Sequence, residues 1–218
     1  METKIYRPKI VQEIRDYYGE AIYHSTFDTI QEHMNVLAEM LYKGIKADSD
    51  YLYVEISNYH PLFLGDPITQ IKDANLDLID CQWTIACEYG FKSWEDVLDL
   101  RKTEYNRPFE QAVDLLLDGN FQELQELIKT YPSIINASSQ YSHKATLLHY
   151  TACNGVELWR QQVPMNLPEM TAYLIHKGAS KWKLMNAYGS QYDTITLLKS
   201  SIHPKNAGVS LEMESLFS

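Results

Sequence analysis

Gly119 and Gly155 lie 36 residues apart, and each follows a short helical pattern and precedes another. "FEQAVDLLLDGN" leads into a second pattern carrying Leu124, Leu127 and Ile128. "ATLLHYTACNG", followed later by "LPEMTAYLIHKGA", has the same plan. A fixed period of paired short helices constrains the fold strongly, because each unit buries its apolar face only by stacking on a neighbour. The expected class is all-α: an N-terminal helical domain over residues 1–105, packed against a short, irregular stack of helical repeats over residues 106–218.

The second half resembles the ankyrin-repeat family. The residues carrying the resemblance are Thr146, Leu148, His149, Ala152 and Gly155, with Gly178 and Ala179 closing the second helix of the same unit. They follow the order of the T-P-L-H-x-A signature. Leu147 stands where proline is usual and Thr151 where the first alanine is usual. The resemblance covers residues 109–218 in about three units, the last divergent and incomplete. In the first half, "DCQWTIACEYGFKSWEDVLDL" is similar to a helical segment preceding ankyrin repeats in some bacterial proteins. The resemblance implies a non-enzymatic module that binds another protein and uses no cofactor, with His149 bonding backbone groups between units. It places the binding surface on the turn tips and inner helices, near Tyr141, His143, Tyr150, Asn154, Tyr188 and Tyr192.

One segment departs from that plan. "VELWRQQVPMNLP", residues 156–168, is too long for a tight inter-helix turn. Its Trp159 and Arg160, beside Gln161, are residue types that dominate binding hot spots, and over-long loops are often functional. The same residues are also suited to folding back over the end of the stack. Both readings stand at this point.

The first half reads as helices. Apolar residues recur at helical spacing after Pro8 and again from Ile30 to Leu41, with Gly44 as a stop. Leu52, Val54 and Ile56 alternate as a strand would, but no partner strand is evident, so a short helix is expected. "YHPLFLGDPI" breaks the pattern. Beyond it lies a helical hairpin with Gly90 at a left-handed cap and Ser93 opening the second helix. A polar, proline-ended stretch over residues 101–108 marks the domain boundary.

Charge and chemistry narrow the function. Nineteen basic residues against 29 acidic ones give a net charge of −10, which opposes binding to a phosphate backbone, and no Lys/Arg-rich run suits an anionic membrane. Nucleic acid and membrane are therefore not expected partners. The odd set of Cys81, Cys87 and Cys153 fits a reducing compartment. The charged start lacks the apolar core of a signal peptide, so a cytoplasmic location is expected.

His149 and Cys153, at i and i+4, would share a helix face, with His143 nearby. No fourth ligand has the spacing a structural zinc site needs, so no metal is expected. Asp77, Asp80, Glu88, Glu95, Asp96 and Asp99 read as a solvated face, and no catalytic residue is assigned. The competing class is an enzyme with its site in the N-terminal helices or at the domain junction, around His60, Asp66, Asp80 and Trp83. A deep pocket lined by these four would favour it. A third reading has the N-terminal helices only capping the stack.

Overall fold

The computed structural model describes residues 3–24, 27–100 and 105–218. Among them the chain is mostly helical, with two small two-stranded sheets. It folds as two units, residues 12–105 and residues 1–11 together with 106–218. Of the boundary segment expected over residues 101–108, residues 101–104 lie outside the described residues.

In the unit of residues 12–105, most of α1 (Lys9–Tyr18) is followed by α2 (Ile30–Lys46), α3 (Asp50–Tyr59), α4 (Ile68–Lys72), α5 (Leu78–Glu88) and α6 (Trp94–Leu98). The helix starts are written locally. Asp77 and Asp80 form a capping box on α5, and Ser93 and Asp96 form one on α6, each satisfying backbone N–H groups that a helix start leaves without partners. Helix α2 turns Ile30, Met34, Leu37, Leu41 and Ile45 inward and packs against α5, the main contact of the unit. The segment with alternating Leu52, Val54 and Ile56 is helix α3, with Leu52 and Ile56 buried.

Gly44 does not stop α2, contrary to the sequence expectation. The helix continues to Lys46, and a Cβ at Gly44 would lie 1.9 Å from Leu52 Cδ1. The glycine is there so that α3 can approach closely. Asp48, at φ 59°, takes the left-handed backbone that turns the chain.

Glu88 is likewise not on a solvated face. It is buried together with Glu55, and the Tyr18 hydroxyl lies 3.1 Å from both Glu55 carboxylate oxygens. Burial raises the Glu55 carboxyl to about 7, against the hydrogen bonds from Glu88 and Tyr18 that favour its charged form.

The second unit begins with β1 (Ile5–Tyr6), antiparallel to β2 (Val163–Pro164). This corrects the expected 1–105 domain at its start. Lys4 O accepts from Met165 N, and Arg7 Nε donates to Gln162 Oε1, so the first residues are fastened to the far half of the sequence. Then come α7 (Arg107–Leu117), α8 (Phe121–Thr130), α9 (Leu147–Tyr150), α10 (Leu167–His176), the hairpin of β3 (Met185–Ala187) and β4 (Ser190–Tyr192), and α11 (Thr194–Ser200), α12 (His203–Ala207) and α13 (Ser210–Ser215). Helices α7, α9 and α11 pack in succession, and α10 packs on α7, α9 and α13. One core joins Phe109, Leu116, Leu148, Leu167, Met170, Leu174 and Leu198.

Candidate functional site

The stretch from residue 145 to 155 is less helical than its spacing suggests. Thr146 caps α9 with a reciprocal box to His149, and the α-helix is a single turn ending at Tyr150. Cys153 has φ 50° and its thiol points to Gln162 O at 3.1 Å. His149 and Cys153 therefore do not share a helix face. Gly155, at φ 71°, sits where a Cβ would meet the Ala187 Cβ at 2.9 Å, so the turn after α9 needs glycine for both conformation and room. Leu148, Ala152 and Ala179 are buried in the core, and Gly178 follows α10 at φ 92°.

His149 ties two segments together. Nε2 lies 3.1 Å from Lys183 O, which can only accept, so Nε2 carries the proton; Nδ1 then accepts from Thr146 N at 3.1 Å. Burial lowers its pKa to about 4, so the ring is neutral at pH 7. Both nitrogens are committed to the protein. Among the described residues no group of three or more His, Cys, Asp or Glu side chains is placed to hold a metal ion.

The insert is buried, which corrects the reading of Trp159 and Arg160 as surface contact residues. Both are buried, with Arg160 fully so. The cause lies on α7, where Glu110, Asp114 and Asp118 recur every four residues and form an acidic row. Arg160 reaches Glu110 Oε2 and Asp114 Oδ1 at 3.0 Å each, and Glu157 Oε1 at 3.1 Å. Gln162 donates to Asp118 Oδ1 at 2.9 Å and to Leu117 O. The guanidinium also lies over the Trp159 and Tyr150 rings, 4.6 and 5.2 Å from their centroids. The loop is thus a cover that sets Arg160 and Gln162 against the acidic row of α7.

Tyr141, His143 and Tyr150, also expected at the binding surface, are buried around this cluster. Tyr150 OH accepts from Arg160 at 3.2 Å, and His143 Nε2 lies 3.6 Å from Glu157 Oε1. Burial raises the Glu110 carboxyl to about 7 despite Arg160, and raises Asp114 as well. Burial pushes Glu157 the same way, but Arg160 and His143 outweigh it and hold that carboxyl at about 2. Glu110 and Asp114 share one guanidinium end while Glu157 has the other with His143 beside it, and that asymmetry separates them.

Around the Pro-Gly break, the structure brings together three of the four residues of the enzyme reading. His60 Nε2 is 3.4 Å from Asp80 Oδ1, and the His60 and Trp83 rings are 5.2 Å apart. Asp66 turns to Gln70 instead. His60 is fully buried, and its Nδ1 accepts from Leu62 N. A general base needs a nitrogen within reach of substrate, and this ring offers none. One pocket in the same unit is lined by Lys46, Tyr53, Lys72 and Asn75, none of the four.

Exposed large apolar side chains occur at several places, among them Leu62, Leu64, Ile79, Ile202 and Leu211, and three of them, two aromatic, fall together on the β3–β4 hairpin and its lead-in. Exposure alternates along the segment: Trp182 is 79%, Leu184 52% and Tyr188 71% exposed, with Asn186 between them and Met185 buried. The segment is held from beneath by Lys183 O on His149, by Asn186 N on His143 O at 2.7 Å, and by Asn186 Nδ2 on Ser142 O at 2.9 Å. Of the expected contact residues, Tyr188 is here and exposed. Tyr192, half-buried, has its ring 6.4 Å from that of Tyr188. Asn154 bonds Tyr188 OH, Leu197 O and Ser200 Oγ. Half-buried Gln161 bonds Val156 O and His203. Trp182 and Leu184 were not singled out from sequence, although "KWKLMNAYG" places Trp182, Leu184 and Tyr188 in one two-residue register, interrupted by Asn186, before a turn.

No family model, curated protein or solved structure matches the chain. No described helix is long and apolar enough to cross a membrane.

Proposed function

We propose that residues 106–218 are an ankyrin-type repeat stack that binds another protein, with the β3–β4 hairpin as its contact. The observation that carries this reading is the exposed row of Trp182, Leu184 and Tyr188 on a segment whose backbone is fixed from below. Soluble proteins rarely leave large apolar side chains clustered in water without a use, and aromatic residues on rigid supports are economical anchors because little freedom remains to be lost on binding. The capping box of Thr146 and the reach of His149 to Lys183 O suit the structural roles the family resemblance assigns to them. The buried insert takes no part in contact; it supports the stack. Affinity capture from lysate tests the reading. Trp182→Ala with Leu184→Ala is expected to weaken recovery of specific partners roughly tenfold or more, as loss of hot-spot residues does, without lowering the melting temperature. Undiminished capture by this variant removes the hairpin from the interface.

A further inference from the structure

We infer that the β3–β4 hairpin docks an acidic protein segment bearing apolar side chains. This rests on the proposed binding role of the hairpin and names the chemistry of its partner.

The charge of the chain is unevenly spread. Residues 12–105 contain 18 acidic and 7 basic residues, and the other unit contains 11 acidic and 12 basic. Within that near-neutral unit, no Asp or Glu occurs between Glu169 and Asp193, while Lys177, Lys181 and Lys183 do. Lys144 adds a fourth positive charge from the neighbouring loop, whose Ser142 and His143 carbonyls hold Asn186.

None of these four lysines has an ion-pair partner among the described residues. Lys177 lies over the Tyr173 ring and Lys181 over the Phe217 ring. Lys183 donates to Asn136 O and Lys144 to Gln140 O. None of the four is within ion-pair distance of a described carboxylate, and Glu126 acts on the Tyr173 ring under Lys177 only from farther off. In a chain of net charge −10, Lys181 and Lys183 flank Trp182 in sequence, so unpaired positive charge adjoins the exposed Trp182 and Leu184.

Apolar anchors flanked by cations without ion-pair partners select a ligand with the inverse pattern, carboxylates flanking apolar side chains. The net negative charge of the chain does not cancel this selection at contact, because charges beyond about 8 Å are screened at physiological ionic strength. A nucleic-acid strand is the weaker match. Its affinity comes from neutralising many phosphates, and the lysines here are few and spread around an apolar row. An anionic membrane asks for a denser cluster than Lys177, Lys181 and Lys183 provide.

The test is selection of a displayed random-peptide library on the whole protein, with oligonucleotide and anionic-vesicle titrations alongside. Selected peptides are expected to be enriched in Asp and Glu together with Leu, Phe or Trp. Their binding should fall roughly tenfold or more in Trp182→Ala and weaken with added salt. Lys177→Gln combined with Lys181→Gln should lessen that salt dependence. Neutral or basic peptides that still require Trp182 overturn the acidic partner and leave the binding role standing. Peptides indifferent to Trp182→Ala, or no enrichment at all, overturn both. An oligonucleotide or vesicle that binds through Trp182 more tightly than any peptide overturns the inference in favour of a phosphate ligand.

Discussion

Two tryptophans in the same unit sit beside cations, and the fold treats them oppositely. Trp159 and Arg160 are buried in the insert, whereas Trp182, between Lys181 and Lys183, stands in water. The local sequences are of one kind, an aromatic next to positive charge. What differs is what lies opposite. The acidic row of Glu110, Asp114 and Asp118, with Glu157, gives Arg160 three carboxylates within 3.1 Å, so the cation and the ring above it go inside together. The lysines around Trp182 have no such carboxylates among the described residues, and that side chain stays out. Placement follows from available countercharge, and so does the division between a structural aromatic and one free to meet a partner.

The largest expected effect breaks the buried member of the pair. Arg160→Ala leaves Glu110, Asp114 and Glu157 in the interior without their cation. Removing one side of a buried charge cluster costs about 3–5 kcal/mol, a large share of the total stability of an ordinary domain. Urea unfolding measures it. A midpoint like that of the unsubstituted protein would mean that the carboxylates had found water, and that the insert does not seal them. Arg160→Lys keeps the charge without the planar fork that reaches both ends of the cluster, so it should fall between the two.

A smaller effect, confined to a pH window, sharpens the same contrast. Glu110 titrates at about 7 in the fold against an ordinary value of 4.5. Between those values the unfolded chain has already lost its proton and the folded one has not, so the contribution of Glu110 is full below pH 4.5 and disappears as pH rises through 7. Glu157, held at about 2, works the other way: its contribution is present above pH 4.5 and is lost as pH falls toward 2. The cluster alone therefore favours mildly acidic conditions. Glu110→Gln should remove part of the decline in urea midpoint between pH 4.5 and 7. Glu55, raised to about 7 in the other unit, and the raised Asp114 add to that decline, while His149, lowered to about 4, opposes it below pH 6.5. If Glu110→Gln leaves the decline unaltered while Glu55→Gln abolishes it, Glu110 is ionised throughout and Arg160 carries more of its charge than the burial implies.

How much of this was legible follows from where the information sits. Capping residues such as Asp77, Ser93 and Thr146 act within three residues, and helical periodicity acts within a turn, so the mostly helical character could be read directly. The role of Gly44 could not, because the Leu52 side chain that excludes a Cβ there belongs to the next helix. The acidic row on α7 was visible at its four-residue spacing. Its cation is 50 residues beyond Glu110, on a loop whose length suggested exposure. Likewise the strand pairing of Ile5 and Tyr6 with Pro164 and Val163 spans most of the chain and leaves no local mark. The exposed row was missed for a different reason. The exposure of Trp182 depends on what does not approach it, and no spacing rule encodes that.

The smallest expected effect on stability is the one that separates the two tryptophans most sharply. Trp182→Ala removes a side chain that is 79% exposed, so the fold loses little buried apolar area, and surface changes of this kind usually stay within about 0.5 kcal/mol. Trp159→Ala removes a ring that packs against Arg160 in the interior, where truncation costs about 3–5 kcal/mol. Urea midpoints of the two variants, compared with partner binding in each, set stability against recognition. Trp182→Ala should leave the midpoint in place and lose the partner. Trp159→Ala should lower the midpoint and, at urea-free conditions where it remains folded, keep the partner. Equal midpoint losses would show that Trp182 is covered in solution by another part of the chain or by a second copy. Its exposure would then be no guide to function, and the contact surface would have to be sought on α9 and α11 around Asn154.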